Sequence, residues 1–246
     1  ATGSEMNSGA VITREETHEK LPFSNPLLFP KFSVLDPRVT ATLSSRQTAN
    51  GVVDAFVHVM EQYMTYPTGN HLQARFAESI LSTLIEDGPE YYRNPADYEK
   101  AANIMWSATM ALNGLVGAGV PNDWSTHMIG HELTAFHEID HARTLAIVLP
   151  GTWQVLKADK EARLKQYAER VWHITEGSDE EKADKAIAKT EAFFHSLGIK
   201  TRLSDYDVGE PTIRKIVKRF EERGWSLGEN KKVGPENVEK ILKERA

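Results

Sequence analysis

Two regimes of hydrophobic and polar patterning divide the chain near residue 43. Before that point Gly3, Gly9, Pro22, Pro26, Pro30 and Pro37 punctuate short β-type runs such as Ala10 to Thr13 and Phe32 to Leu35, which predicts strand and loop. From Ser44 onward the spacing turns helical. Ser44 or Ser45 is a suitable N-cap, and Val52, Val53, Phe56, Val57, Met60 and Tyr63 recur at helical intervals until Pro67-Thr68-Gly69-Asn70 ends the pattern. Further helices are predicted at roughly 71–87, 96–116, 123–136, 142–157, 160–175, 179–197, 211–223 and 235–245, each boundary carrying an error of ~2 to 4 residues. The expected fold is mainly α: strands and loops over 1–43, then an all-helical unit over 44–246.

The glycines at 114, 117 and 119 follow a helical segment and lack the order of a dinucleotide fingerprint, which needs its glycines directly after a strand and opening a helix. They read as a loose turn between helices, so any cofactor phosphate loop is expected outside this chain. No internal repeat or low-complexity tract interrupts the pattern.

Composition narrows the classes of function. The chain has 246 residues, 40% of them hydrophobic and 26% charged, with no apolar stretch approaching the ~18 residues of a membrane span. Its 29 basic and 35 acidic residues give a net charge of -6 without a basic block, a poor match to nucleic acid. Cysteine is absent, so a transition metal would have to be held by histidine and carboxylate. The first residues, Ala1 to Asn7, offer neither a basic nor an apolar leader region and read as a chain entered midway.

Candidate chemistry concentrates in two places. Asp54 and His58 stand four apart in the first helix, on one face, where they could share a metal or simply hydrogen-bond to each other. His127, His131, His137 and His141 are four of the nine histidines gathered into fifteen residues. His127 and His131 again share a helical face, and His141 should open a new helix after a break near 137–140. Imidazoles with one carboxylate and no sulfur suit Zn²⁺ or Fe²⁺ and leave a coordination position open. A scatter of partly exposed histidines, or a non-catalytic metal-binding helical module, is the plainer reading. A second competitor is a zinc metalloprotease, because His137-Glu138-Ile139-Asp140-His141 fits H-E-x-x-H and Glu161 follows twenty residues later. That reading needs one continuous helix through 137–141 and leaves Asp54, His58 and His127 unexplained, and Pro150-Gly151 is expected to interrupt the path to Glu161.

Taken in order, Ala1-Thr2-Gly3-Ser4-Glu5, Val34-Leu35-Asp36-Pro37, Asn50-Gly51-Val52-Val53-Asp54-Ala55-Phe56-Val57-His58, and His127-x-x-x-His131 with His141 ten residues later resemble the iron-containing (group III) alcohol dehydrogenases. Within that family the likeness is to the NADPH-dependent butanol dehydrogenase and aldehyde reductase branch. The resemblance implies that Asp54, His58, His127 and His141 hold one divalent metal, Zn²⁺ or Fe²⁺, and that His131 serves as a proton relay beside the nicotinamide. It implies further that Thr2, Gly3, Ser4, Asn7 and Lys20 approach NADP(H), and that residues 1–43 are the last strands of a Rossmann-like cofactor domain ahead of the metal-binding domain at 44–246. The implied activity is metal-dependent hydride transfer between NADP(H) and small alcohols or aldehydes, in a cytoplasmic protein for which a homodimer is a compatible assembly. Glu138 departs from the family, which often has a small residue there, and creates the H-E-x-x-H match.

Overall fold

The computed structural model of the chain describes residues 2–246. Among these, one hairpin precedes nine helices. Strands β1 (Gly9–Arg14) and β2 (Glu19–Ser24) pair antiparallel, with Gly9 opposite Ser24 and Arg14 opposite Glu19. The run at Phe32 to Leu35, expected as β-type, forms no strand. It lies between Pro30 and Pro37 with no neighbouring strand to complete a ladder, and Phe32 and Val34 are exposed.

The helices are α1 (Ser45–Tyr63), α2 (His71–Arg93), α3 (Tyr98–Leu112), α4 (Ser125–His137), α5 (His141–Val155), α6 (Lys157–Arg170), α7 (Asp179–Ser196), α8 (Glu210–Arg223) and α9 (Pro235–Glu244). The mainly α expectation holds, and no helix among the described residues is long and apolar enough to cross a membrane. Proline is tolerated inside two helices where packing is strong. Helix α2 runs past its expected end through Pro89, and α5 runs through Pro150, so the interruption expected at Pro150-Gly151 does not occur. Proline forfeits one backbone hydrogen bond, and buried Leu149, Pro150 and Trp153 hold the α5 turn together regardless. Gly151 is needed there for closeness: a Cβ would stand 2.8 Å from the Arg245 side chain. The chain leaves α6 at Arg170, earlier than expected, through a turn at Val171 and Trp172.

Helix α1 is the axis of the larger core. Ser44 and Gln47 form a reciprocal capping box, each backbone N–H meeting the other's side-chain oxygen at 3.3 Å. Beyond the cap the helix is apolar on almost every side, the pattern of a helix surrounded by protein, and Val52, Val53, Phe56, Val57 and Met60 are fully buried against α2, α3, α5 and α7. A smaller core joins α4, α5, α8 and α9 around Leu133, Ile147, Ile216 and Phe220. Helix α5 belongs to both cores, so its first residue, His141, is fixed relative to α1 and α4 together.

The hairpin is tied to the helices by a buried clamp. Glu132 on α4 accepts Arg219 Nη1 at 2.6 Å and Arg223 Nη1 at 2.9 Å, and Arg223 Nη2 reaches Glu19 on β2 at 2.6 Å. Arg219 also donates to the His18 carbonyl at 2.7 Å. Glu132 is almost wholly buried, so removing it leaves two guanidiniums short of an acceptor. Glu132→Ala should cost about 3 kcal/mol in denaturant unfolding, and amide exchange across residues 9–24 should quicken.

Candidate metal centre

Asp54 and His58 project from the middle of α1, His127 and His131 from α4, and His141 from the first turn of α5. Their convergence depends on how α4 and α5 are joined. Glu138 adopts the left-handed conformation (φ 56) and its N–H bonds the Thr134 carbonyl at 2.8 Å, ending α4. Asp140 then precedes α5, gripped by Arg46 Nη2 at 2.8 Å and Asn50 Nδ2 at 2.7 Å from α1. The two helices approach so closely that a Cβ on Gly130 would stand 2.9 Å from Thr144 Oγ1. This geometry removes the protease reading, because His137 and His141 lie on separate helices and His137 Nε2 is engaged with Thr212 Oγ1 at 2.8 Å.

Asp54, His127 and His141 each offer one ligand atom, all within 4.8 Å of one another. His58 stands beside this set rather than in it. Its Nδ1 donates to the Asp54 backbone carbonyl at 2.7 Å, its ring packs edge-on to that of His127 at 4.4 Å between centroids, and Nε2 is the ring nitrogen left available. The His131 ring lies 5.0 Å from that of His141. Trp124 packs edge-on to both His58 and His127, a dry wall on one side.

Whether a divalent cation suits these residues is decided by their unsatisfied atoms. Asp54 Oδ1, His127 Nε2, His131 Nδ1 and His141 Nδ1 are buried side-chain atoms without a hydrogen-bond partner. Buried polar atoms are rarely left so, and Asp54 Oδ1, 3.5 Å from His141 Nε2, and His127 Nε2 belong to residues whose ligand atoms converge, a donor set that fits a divalent cation. Charge points the same way. Burial first, then His58, His141 and His131, holds His127 well below the usual imidazole value. Burial pushes His131 down to about 3 and His141 to about 4, the latter despite the opposing pull of Asp54. Burial would raise the Asp54 carboxyl, but His58, His141 and the Thr2 hydroxyl outweigh it and hold it below its ordinary value. The site therefore presents neutral imidazole lone pairs and one carboxylate at neutral pH, the form that binds a metal.

Of the residues expected near a nicotinamide cofactor, Thr2 donates its hydroxyl to Asp54 Oδ2. Asn7 Nδ2 braces the loop by donating to the Gly3 carbonyl at 2.7 Å, and Gly3, at φ 60, sits so near α3 that a Cβ would lie 3.2 Å from the Thr109 carbonyl. Ser4 is exposed. Lys20 is held low by burial, against the opposing pull of Asp54, and its charge bears on His127, His131 and His141. One residue went unremarked in the sequence. Glu61, 3% exposed, accepts the His127 backbone N–H at 2.9 Å. Burial and then the Asp123 carboxylate push Glu61 well up, against the amides of His127 and Trp124. Its signal was spacing: Asp54, His58 and Glu61 fall on one face of α1.

A carboxylate and imidazoles converging between three helices define a mainly helical protein with a candidate metal-binding cluster of nitrogen and oxygen atoms. The chain belongs to the Fe-containing alcohol dehydrogenase family, whose C-terminal model matches residues 48–246. It is 58% identical over 231 residues to the NADPH-dependent aldehyde reductase YqhD of Escherichia coli (strain K12), covering 94% of this chain and 60% of the relative. It is 42% identical over 245 residues to the probable NADH-dependent butanol dehydrogenase 1 of Bacillus subtilis (strain 168), covering 99% of this chain and 63% of the relative. The crystal structure of E. coli K-12 YqhD superposes with a TM-score of 0.98 at 55% identity, covering 100% of this chain and 63% of that one. The chain thus spans about three-fifths of the length of these relatives. Neither the metalloprotease nor the non-catalytic metal-binding module finds support in this kinship.

The depressed imidazoles set a pH dependence for metal-free protein. Above about pH 6.5, the unfolded histidine value, both states are neutral and stability is unaffected. Below it the unfolded chain takes up protons that buried His131 and His141 refuse until pH reaches about 3 and about 4 respectively. Stability should therefore fall across that window, by up to about 1.4 kcal/mol per pH unit for each group. Thermal melts of chelator-treated protein should show the decline, and His131→Gln should make it shallower.

Proposed function

We propose that this chain carries the metal centre of a metal-dependent alcohol dehydrogenase or aldehyde reductase that transfers hydride between NADP(H) and small alcohols or aldehydes, with Asp54, His58, His127 and His141 as ligands to one divalent ion. The observation that supports it most directly is the convergence of Asp54, His127 and His141 within 4.8 Å, with buried ligand atoms unpaired, in a chain of this family. The donor set accepts Zn²⁺ or Fe²⁺, since carboxylate and imidazole bind both. When bound, the metal supplies Lewis acidity that polarises a carbonyl, and the nicotinamide supplies the hydride.

The chain's own residues orient and protect. Asp54 is held on two sides, its backbone carbonyl by His58 Nδ1 and its Oδ2 by the Thr2 hydroxyl, which leaves Oδ1 free to bind. Trp124 keeps water from His58 and His127. His131, its Nδ1 free, holds and passes a proton at the substrate oxygen. Lys20 and the loop bearing Thr2, Gly3, Ser4 and Asn7 form the approach for the cofactor, Lys20 supplying a positive charge for its polar face. Residues 1–43 read as part of the cofactor-binding region: Leu27, Phe32 and Val34 are exposed apolar side chains of the kind that further chain would cover. The relatives divide over the cofactor, NADPH for YqhD and NADH for the Bacillus enzyme, and NADP(H) is the cofactor named for the more similar of the two.

Metal analysis after reconstitution with Zn²⁺ or Fe²⁺ should find one ion per chain, and His127→Ala should lower the occupancy; no bound metal in the unaltered chain would refute the proposal. In a polypeptide that also carries the cofactor-binding region, Glu138→Gln should leave NADPH-dependent butanal reduction within several-fold of normal. His131→Ala should slow it by ~100-fold or more where His131 is the sole relay.

A further inference from the structure

One buried carboxylate at the centre has no part in the scheme above. Glu61 follows Asp54 by seven residues and His58 by three, so α1 presents all of them to α4. Its Oε1 accepts the backbone N–H of His127 at 2.9 Å and lies 3.1 Å from His127 Nδ1. The Glu61 backbone carbonyl accepts the Asp123 N–H at 2.8 Å. Residue 61 therefore grips the chain on both sides of Trp124, whose left-handed conformation (φ 62) starts α4.

A neutral imidazole carries one proton and one lone pair, and whichever nitrogen meets an acceptor must carry the proton. At His127 the nitrogen facing Glu61 is Nδ1. The other, Nε2, is buried without a partner, on a residue of the convergent set. We propose that Glu61 is a positioning residue: by accepting Nδ1–H it fixes the His127 tautomer with its lone pair on Nε2 and locks the ring toward a divalent metal. The inference rests on reading His127 as a ligand. Glu61 is better suited to the task than an amide, because Oε1 accepts from His127 whether or not a proton sits on Oε2, and it has no N–H to turn toward the ring. The backbone bond to His127 alone would need only an acceptor oxygen, which glutamine also supplies. Glu61→Gln and Glu61→Met therefore separate the two roles.

The test reads metal affinity and tautomer together. In metal-free protein labelled with ¹⁵N-histidine, NMR should find His127 as the Nδ1–H tautomer. Zn²⁺ titration against a competing chelator should give affinities about 10-fold weaker for Glu61→Gln and about 100-fold weaker for Glu61→Met, in the range expected for loss of a ligand's hydrogen-bond acceptor. Amide exchange of α4 should be unchanged in Glu61→Gln. A His127 found as Nε2–H in the unaltered protein would overturn the proposal, whatever the variants do. So would Zn²⁺ affinities for both variants within twofold of the original while His127→Ala loses binding. Failure of the unaltered chain to bind Zn²⁺ or Fe²⁺ would instead strike at the metal-centre reading, with the tautomer still deciding whether Glu61 orients the ring. Should Glu61→Met not fold, Glu61→Gln and the tautomer of the unaltered chain decide.

Discussion

Three helices bring four imidazoles and a carboxylate together with several of their polar atoms buried and unpaired, and the rest of the architecture serves that constraint. Each buried, unpaired polar atom costs on the order of 1–3 kcal/mol, and Asp54 Oδ1, His127 Nε2, His131 Nδ1 and His141 Nδ1 are four such atoms on neighbouring side chains. Protonation is no remedy. Charged rings side by side repel, and burial holds His127, His131 and His141 neutral. A divalent cation at the proposed site would resolve the conflict by meeting several lone pairs at once, coupling binding energy to folding energy.

The scaffold accordingly spends its polar contacts on holding helices in register. Asp140, held by Arg46 and Asn50, pins the start of α5 to α1. At the start of α4, Lys160 donates to Asp123 Oδ2 at 2.7 Å, to the Met64 carbonyl at 2.7 Å and to Glu229 at 3.1 Å, while Asp123 Oδ1 accepts the Ser125 N–H at 2.9 Å. Lys160 is nearly inaccessible, and such a charge is tolerated only because its donors are all met. Gly130 lets α4 and α5 close on each other. The Glu132 clamp brings the hairpin, and Lys20 with it, over the same cleft. Apart from the local Asp123–Ser125 bond, these contacts join residues of different elements.

That separation explains what the sequence revealed and what it withheld. The period of α1, its Ser44 cap and the break after His137 were legible because they are local, and the break was enough to set His137 apart from His141. The ladder of β1 was half visible, but its partner β2 contains Pro22 and was missed, while Phe32 to Leu35 has strand composition and no neighbour to pair with. The extension of α2 through Pro89 and the continuity of α5 through Pro150 were not legible, because the packing that retains those turns is tertiary. Within the site, histidine clustering and helical spacing pointed to residues that the fold brings together, and the family resemblance joined α1 to α4 and α5. Periodicity could not have shown that His58 stands beside the tightest set rather than within it. Nor could it single out Glu61, whose role depends on where α4 begins.

Anomalous diffraction from crystals of the chain loaded with Zn²⁺, recorded at the metal absorption edge, tests the central claim most directly. One peak is predicted per chain, bounded by Asp54, His58, His127 and His141, with His127 approaching through Nε2 and Glu61 behind its Nδ1. A peak at His137 and Thr212, one in the carboxylate cluster of Asp123 and Glu229, or a cleft that stays empty while Zn²⁺ is bound elsewhere would contradict it.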